Sequence, residues 1–443
     1  MRIFVLLLLL LYPASAEIIE VYPNPFKEEE EYVKIFCHGN CIFTDFEKEI
    51  KFGRGVHYLA KNATAFKDKF GFYPDADGIS LSNNGELIAL IEENSTEYFN
   101  WVWRYLDEGV VYYKENGKWD FRYEGWSSFK PVEDEVSGKL ILCPCDYKLK
   151  GEGVVYSYTI YDAESFEGDF TFAVDANPVG GIPLNVKILE ENNEVYYLKS
   201  KIYKNFHAKF AVVGDKVVIT TENWKWDKRG VVVEFSSKKI SKTLKDVFYN
   251  DLKYSSKPKS FKNYVKVERG NGKSFDFSGK VTLYVMPENN PVFDFIRNAK
   301  KRLYLVAPNI DFEYFNGTPL LDEILNASKR GVDVKILVSY GDLEFLENQG
   351  VEVEKLENPK IHGKYLISED SVLITSANLN KYGLKLNREI ALKIEDKKLA
   401  DKLAEEFLRD FKKGFDEREY IYLLLSSIGF FVAVLIFLKR QQS

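Results

Sequence analysis

The chain contains an internal repeat, and this repeat restricts the possible fold more than any other feature of the sequence. The hexapeptide SGKLIL at 137–142 is matched by SGKVTL at 278–283, and each opens a segment that leads through β-type patterns to a His-x-Lys motif. Repeated segments usually fold as copies of one structural unit. We therefore predict one duplicated domain, with a first half at 137–252 and a second half at 278–415.

The second half alternates strand and helix patterns in the way that is typical of an α/β fold. The first half is reduced, because the stretch between Leu142 and Phe172 holds strand patterns but no apolar period long enough for a helix. The stretch 253–277 is rich in Lys and Arg, and we interpret it as a solvated basic linker in preference to a phosphate clamp. The elements predicted in the second half are helices at 292–300, 320–329 and 399–411 and strands at 303–307 and 334–338.

Each half contains the same three polar residues at the same spacing. His207 is followed by Lys209 and, sixteen residues after the histidine, by Asn223, and the second half repeats this order. Residues two apart on a strand share a face, so each motif places an imidazole beside an ammonium group. Such a set suits a phosphodiester: Lys and Asn donors neutralise the non-bridging oxygens, one His attacks phosphorus, and the other protonates the leaving group. The six candidate catalytic residues are His207, Lys209, Asn223, His362, Lys364 and Asn378.

Since the chain has only four histidines, two at equivalent positions are hard to explain by coincidence. The paired motifs resemble those of the phospholipase D superfamily, whose signature is His-x-Lys-x4-Asp followed by Gly-Ser-x-Asn, twice per active site. The resemblance covers about residues 137–415 and implies a duplicated α/β sandwich of two mixed sheets with flanking helices. It also implies metal-independent phosphodiester transfer through a phosphohistidine, without a cofactor. The residues that match its supporting positions are Thr221, Ser376, Glu389, Asp215 and Asp370.

Both copies depart from that signature at the Asp. The position seven residues after the histidine is Gly214 in the first copy and Glu369 in the second, and Asp215 and Asp370 follow one residue later. A shift of one residue moves a side chain to the opposite face of a strand. The family role of either Asp is therefore an open question at this point.

The counterpart of Glu389 in the first half is also left open. Counting from the asparagine of the motif points to Glu234, whereas matching Arg229 to Arg388 points to Gly230. The choice of nucleophile is equally open, because either histidine would have to be neutral for attack and protonated for acid catalysis. The usual order in duplicated family members favours the first histidine as the nucleophile, with the second as a close alternative.

The segment 17–131 reads as an all-β module, with short β runs separated by turn residues. It resembles the lamin-tail domain, an immunoglobulin-like sandwich, through IIEVYPNP at 18–25, EYVKI at 31–35 and LSNNGELIAL at 81–90. The implied role of this module is binding or spacing.

Both ends of the chain predict a membrane location. Residues 1–16 have the basic, apolar and small-residue regions of a secretory signal. Residues 420–438 are long and apolar enough for a transmembrane helix, and Lys439 and Arg440 after it place the short tail in the cytoplasm and the bulk of the chain outside the cell. Only three glutamines occur in the chain, a scarcity of labile amides that hints at a thermophilic source.

The cysteines fit an extracellular location. An even count outside the cell indicates disulfides, with three possible connectivities, and a four-sulfur zinc site is the alternative. The four residues are Cys37, Cys41, Cys143 and Cys145.

The formal charge of -6 excludes a uniformly basic nucleic-acid binder, so any site for a polyanion must be local. We expect an exported, membrane-anchored phosphodiesterase that acts as a monomer with an internal pseudo-dimer. The favoured substrate is nucleic acid, and phospholipid is the second choice. A catalytically inactive surface binding protein is the alternative from a different functional class.

Overall fold

The computed structural model describes residues 15–101, 107–115, 117–312 and 319–414. They form two compact units, and the boundary between these units in the sequence lies between Ser127 and Ser128. Residues 1–14 of the predicted signal and all of the predicted spanning helix at 420–438 lie outside the described residues. Among the described residues, no helix has both the length and the apolar character needed to cross a bilayer.

The first unit is a β-sandwich, as the turn-punctuated β runs predict. Its two sheets have the strand orders β10-β9-β1-β2-β5-β6 and β4-β3-β7-β8. Phe99 of one sheet stacks on Trp119 of the other with ring centroids 3.8 Å apart, so aromatic side chains fill the space between the sheets. The resemblance to lamin-tail domains stays a prediction. The strands are β1 (Glu17–Tyr22), β2 (Tyr32–Cys37), β3 (Cys41–Thr44), β4 (Glu49–Phe52), β5 (Gly55–Ala60), β6 (Ala76–Asp77), β7 (Leu87–Glu92), β8 (Ser95–Asn100), β9 (Val110–Glu115) and β10 (Lys118–Tyr123).

One helix in this unit departs from the all-β prediction. Helix α1 (Ala63–Phe70) begins where the Asn62 side chain accepts hydrogen bonds from the N–H groups of Thr64 and Ala65. It ends at Gly71, whose φ of 83° is a left-handed conformation that glycine adopts without a steric penalty. The capping residues at both ends are thus visible in the sequence, but the helix is too short to give a clear apolar period.

The second unit contains both halves of the repeat. Its helices are α2 (Asn185–Glu190), α3 (Lys238–Asp251), α4 (Val292–Asn298), α5 (Pro319–Lys329) and α6 (397–414). Its strands are β11 (Val132–Leu142), β12 (Leu149–Lys150), β13 (Gly153–Ser157), β14 (Phe166–Glu167), β15 (Phe170–Asp175), β16 (Ile182–Pro183), β17 (Glu194–Leu198), β18 (Phe210–Val213), β19 (Lys216–Thr220), β20 (Val231–Ser236), β21 (Ser255–Ser256), β22 (Phe261–Lys262), β23 (Lys273–Met286), β24 (Arg302–Val306), β25 (Asp333–Val338), β26 (Glu352–Lys355), β27 (Tyr365–Ile367), β28 (Val372–Thr375) and β29 (Glu389–Glu395).

The prediction of two separate mixed sheets is wrong. One continuous sheet of 15 strands runs through both halves, in the order β21-β17-β15-β13-β18-β19-β20-β11-β23-β29-β28-β27-β24-β25-β26. The two halves join because β11 and β23, the long strands that open the two copies, pair with each other antiparallel along the whole of β11. Ser137 lies directly opposite Ser278, and their hydroxyl oxygens are 2.9 Å apart. Equivalent residues of the two copies therefore face each other, as across a two-fold axis.

The linker prediction also needs correction. The stretch 253–277 contains two short strands, and its last five residues belong to β23. Arg269 forms ion pairs with Asp146, Asp162 and Glu164, so this part of the stretch is fixed to the first half.

The first half contains a long helix that the prediction missed, α3. Ser237 caps α3 by accepting a hydrogen bond from the N–H of Ile240. The helix buries Ile240, Leu244, Val247 and Phe248, an i, i+4, i+7, i+8 pattern that covers one face of the sheet.

The cysteines form two local disulfides, Cys37–Cys41 and Cys143–Cys145. All four sulfurs are used in these bonds, which excludes the alternative of a four-sulfur zinc site.

We predict that the repeated Ser-Gly-Lys segments require their glycines. A Cβ on Gly138 would lie 2.5 Å from the carbonyl oxygen of Glu234, and one on Gly279 would lie 2.3 Å from the carbonyl oxygen of Glu395. Overpacking of this kind costs about 1–3 kcal/mol. Gly138→Ala should therefore lower the free energy of unfolding by that amount in urea denaturation. Ser137→Ala is the control: it removes only an exposed contact between two hydroxyls, so the free energy of unfolding should change little. Equal stability of the glycine variant and wild type would contradict the prediction.

Candidate active site

Two hairpins of the same construction carry the predicted motifs. The first is β18–β19 and the second is β27–β28, and in each the Lys of the motif precedes the first strand. The carbonyl of Lys209 accepts the N–H of Thr220 at 3.1 Å, and the carbonyl of Lys364 accepts the N–H of Thr375 at 3.0 Å. Each lysine ammonium also donates to the carbonyl oxygen of its own histidine, at 2.8 Å and 2.6 Å. In both halves the lysine ammonium is therefore held next to the histidine of the same motif by a hydrogen bond to the backbone.

His207 lies in a closed environment, with a side chain only 7% exposed. Its Nδ1 is 2.8 Å from the Glu389 carboxylate, and the Lys209 ammonium is 3.0 Å from the same nitrogen. The ring of Tyr158 packs edge-on against the imidazole, with the two ring centroids 4.5 Å apart. Burial lowers the pKa of His207 to about 4, against the opposing effect of Glu389. This imidazole is therefore neutral at pH 7, as a nucleophile must be.

His362 has a matching but more open environment, with a side chain 21% exposed. Its Nδ1 lies 3.1 Å from a carboxylate oxygen of Glu222, and the Lys364 ammonium is 3.4 Å from the imidazole. Burial lowers the pKa of His362 to about 4; Lys364 lowers it further and Glu222 raises it. Burial raises the pKa of both carboxyl groups, but the histidine that each one faces and a nearby lysine lower it below its ordinary value. Both therefore act as anions that accept a hydrogen bond from Nδ1–H.

Each half supports the histidine of the other half. Glu389, from the second half, holds the first histidine, and Glu222, from the first half, holds the second. The backbone repeats this exchange: the N–H of His207 donates to the carbonyl of Arg388, and the N–H of His362 donates to the carbonyl of Arg229, both at 2.9 Å. The site therefore exists only when the two halves are folded together.

The two lysines form the positive centre of the site. Lys209 and Lys364 are fully buried. Burial lowers the pKa of Lys209 well below its ordinary value and that of Lys364 to about 8. Each has the other half's glutamate as a nearby anion that raises its pKa. A phosphodiester anion would be held here by charge-assisted hydrogen bonds in a site with little water.

The remaining catalytic candidates stand at the ends of the return strands. Asn223 and Asn378 are half-buried, and within the described part of the chain the Oδ1 of Asn223 is buried without a hydrogen-bond partner. A Cβ on Gly383 would come within 2.2 Å of the Asn378 carbonyl oxygen, so the following π-helical turn packs directly on this residue. The hydroxyls of Thr221 and Ser376 donate to Glu222 at 3.0 Å and to Glu389 at 2.5 Å.

Asp215 and Asp370 are not part of this site. Both are exposed and lie in the hairpin turns, at the ends of the strands opposite to the histidines. At about 3.3 Å per residue, the four residues of β18 alone separate the turn from the motif by about 13 Å. Glu369, which occupies the family's Asp position, instead accepts the backbone N–H groups of Lys300 and Lys301. The two Asp candidates are therefore wrong.

Glu234, one of the two candidates for the missing carboxylate, also lies elsewhere. Its carboxylate pairs with Lys216 at 2.9 Å and accepts a hydrogen bond from the hydroxyl of Tyr147 at 3.0 Å. The residue that does face the second histidine, Glu222, was missed because it lies inside the Thr-Glu-Asn run, at a position where the second half has Ala377. A Glu directly before the candidate Asn223, at the end of a predicted strand, was the available signal.

Among the residues that the structure describes, no group of three or more His, Cys, Asp or Glu side chains is placed to hold a metal ion. The independence of the chemistry from metals stays a prediction.

Comparisons with known proteins identify the second half. A family profile described as "Cardiolipin synthase, PLD-like domain" matches residues 292–411. Residues 292–411 are a phospholipase D-like domain. The chain is 27% identical over 146 residues to a cardiolipin synthase of Listeria welshimeri, a match that covers 30% of each protein. The chain thus spans less than a third of the length of this curated relative.

Two solved structures are also similar to parts of the chain. Nuc from Salmonella typhimurium, a phospholipase D family member, is 26% identical with a TM-score of 0.27, over 30% of this chain and 95% of that one. The phosphatidylserine synthase of Haemophilus influenzae is 12% identical with a TM-score of 0.42, over 59% of this chain and 82% of that one. The phospholipase D-like domain matched by the profile contains His362, Lys364, Asn378 and Glu389.

Arg388 and Arg229 are the residues whose carbonyls accept the N–H groups of the two histidines. We predict that their side chains contribute differently to the free energy of unfolding. Arg388 is fully buried and pairs with Asp251 at 3.0 Å and with Glu288 at 2.9 Å, whereas Arg229 is 15% exposed and pairs with Asp410 at 2.8 Å. Removing one partner of a buried ion pair costs about 3–5 kcal/mol because it leaves a charge without compensation. Arg388→Met should lower the free energy of unfolding by that amount in denaturant titrations, and the matched variant Arg229→Met should lower it by less. Equal losses would contradict this account of burial.

Proposed function

We propose that the second unit is a phosphodiesterase that works through a phosphohistidine intermediate. The observation that carries this proposal is the pair of histidine–carboxylate contacts, formed reciprocally between the halves around two buried ammonium groups. One such pair would be a common structural feature of a buried His. Two of them, facing one positive centre, provide a nucleophile, an acid and a place for a phosphate.

In the proposed mechanism His207 is the nucleophile. Its Nδ1–H donates to Glu389, which is itself held by Ser376 and by the Nδ2 of Asn387 at 3.1 Å, so the lone pair is on Nε2. Nε2 attacks phosphorus, the N–P bond forms, and the P–O bond to the leaving group breaks. His362, which is more exposed, gives a proton to the leaving oxygen.

The second step returns the enzyme to its starting state. Water attacks phosphorus and loses a proton to the same His362, the N–P bond breaks, and the phosphate product leaves. Throughout both steps, Lys209, Lys364 and the two asparagines stabilise the negative charge on the non-bridging oxygens. Because the ammonium groups are buried and fixed, they need little reorganisation as this charge develops.

We favour nucleic acid as the substrate. Lys228 lies close enough to Lys364 to lower its pKa, and it would face a phosphate next to the one being cleaved. A nucleic acid has such neighbouring phosphates along its backbone. The lamin-tail-like module and the export, which are both predicted from the sequence, support the same choice. The location that we propose is the outer face of the cell membrane, with an anchor at 420–438.

Phospholipid is the second candidate. The observation in its favour is that the family profile matching residues 292–411 and a relative that is 27% identical over 146 residues are both named for cardiolipin synthase. An anchor next to the domain would also keep the site near lipid headgroups.

Hydrolysis of bis(p-nitrophenyl) phosphate tests the mechanism. Wild type should be fully active with excess EDTA. His207→Ala should release no p-nitrophenolate, because no nucleophile remains. His362→Ala should release about one equivalent in a burst and then stall, because p-nitrophenolate leaves without a proton but hydrolysis of the phosphohistidine lacks its base. Activity that needs a metal, or that survives both substitutions, would contradict the mechanism, and complete inactivity of wild type would favour a binding protein.

The substrate class is tested with the same protein. Single-stranded DNA should be cleaved, and neither DNA cleavage nor lipid turnover should remain in the His207→Ala variant. Turnover of phosphatidylglycerol vesicles by wild type with intact DNA would contradict the nucleic-acid proposal and select the lipid candidate.

The rate should fall as pH rises. The pKa of His362 is lowered to about 4, so above that pH its protonated fraction decreases about tenfold per unit, while the nucleophile is already neutral. For an unactivated dinucleotide, kcat/KM should therefore decrease from pH 5 to pH 8, and it should decrease further above about 8, where Lys364 loses its charge. The aryl diester, whose leaving group needs no proton, is the control and should give a flat profile from pH 5 to 8. The same slope for both substrates would contradict the role of His362 as the acid.

A further inference from the structure

The backbone hydrogen bonds establish which residues of the two halves are equivalent. The N–H of Thr221 donates to the carbonyl of Val231, and the N–H of Ser376 donates to the carbonyl of Ile390, both at 3.0 Å. The return bonds, from the N–H groups of Val231 and Ile390 to the two hydroxyls, are 2.9 Å and 3.0 Å long. Thr221 therefore corresponds to Ser376, and Val231 to Ile390.

It follows that the position equivalent to Glu389 is Gly230, one residue before Val231. A Cβ built on Gly230 would lie 1.9 Å from Oε1 of Glu222 and 2.4 Å from its Cδ. The space beside this glycine is thus filled by the carboxylate of a residue from another position in the chain. In the second half, where the carboxylate is at 389, the position equivalent to 222 is Ala377 and carries no competing group.

The relocated carboxylate makes the same contacts as the original one. It accepts a hydrogen bond from Thr221 at 3.0 Å, as Glu389 does from Ser376, and it faces Nδ1 of the opposite histidine at 3.1 Å. Its side chain is 1% exposed. The two carboxylates differ in one contact: Glu389 also accepts a hydrogen bond from the Nδ2 of Asn387.

We infer that Glu222 is the positioning residue for His362, that it has replaced a carboxylate at position 230, and that 222 and 230 form one coupled pair. The site accepts a carboxylate from either position but not from both, and the other residue must be small. This inference rests on the proposed function for its catalytic meaning but not for its structural content.

A carboxylate exchange tests the pair. Glu222→Ala should lower kcat/KM for an unactivated dinucleotide about 100-fold, because His362 loses the anion that orients it and stabilises its charged form. Gly230→Glu alone should be at least as damaging, because the new side chain overlaps the Glu222 carboxylate. The double variant E222A/G230E, which copies the arrangement of the second half, should recover to within about tenfold of wild type. A loss of kcat/KM in the double variant as large as the product of the two single fold-losses would overturn the inference.

A measurement that does not need activity separates this inference from the proposed function. The chain has four histidines, so the His362 imidazole can be followed by NMR titration and assigned with His362→Ala. The groups that act on it are Lys364, Lys209 and Glu222. The pKa of His362 should fall in Glu222→Ala and return in E222A/G230E. If the imidazole follows the exchange but wild type hydrolyses no diester, the proposed function fails and the coupled pair stands.

The opposite result is equally informative. If Glu222→Ala changes neither the His362 titration nor kcat/KM while wild type is active, the coupled pair is refuted and the proposed function stands. Unfolding midpoints measured for every variant exclude a simple loss of fold. If Glu222→Ala does not fold, the isosteric Glu222→Gln replaces it, and the same fall in the pKa of His362 is expected.

Discussion

The reciprocal contact between a histidine of one half and a carboxylate of the other is the interaction on which the rest of the second unit depends. It requires the two hairpins to place their histidines close together. The pairing of β11 with β23 contributes to this by joining the two half-sheets at their first strands. It also requires that the cost of burying both anions be offset, and the Thr221 and Ser376 hydroxyls, the histidines and the nearby lysines do this. The long sheet, the hairpins and the buried arginines all serve to hold these two contacts.

The parts of the site that could be predicted from the sequence are those encoded locally. The spacing from His207 to Asn223, repeated from His362 to Asn378, describes a hairpin, and the structure contains both hairpins. Glu222 could not be placed in this way, because its partner lies 140 residues later and is brought near only by the packing of the halves. The failure at Asp215 and Asp370 has a related cause, since a motif position transferred between hairpins of different length ends in a turn instead of on the strand.

The fold shows the same division between local and distant information. Helices α4 and α5 and strands β24 and β25 follow from apolar periods in the second half and were predicted within a few residues. The union of the two sheets into one could not be predicted, because it depends on which strand edges meet. The Ser-Gly-Lys repeat contained a hint, as its glycines allow the neighbouring carbonyls to approach closely, but a sequence repeat alone does not show that its copies pair with each other.

The position of Ser137 opposite Ser278 has a consequence for the history of the chain. A single-copy ancestor could form the same sheet and the same site by pairing with a second copy of itself through this strand, and in such a homodimer every substitution occurs twice. Fusion of the copies removes that restriction. A carboxylate can then move to a new position in one half while the other half keeps the old one, as Glu222 and Glu389 do, so the two histidines become free to specialise.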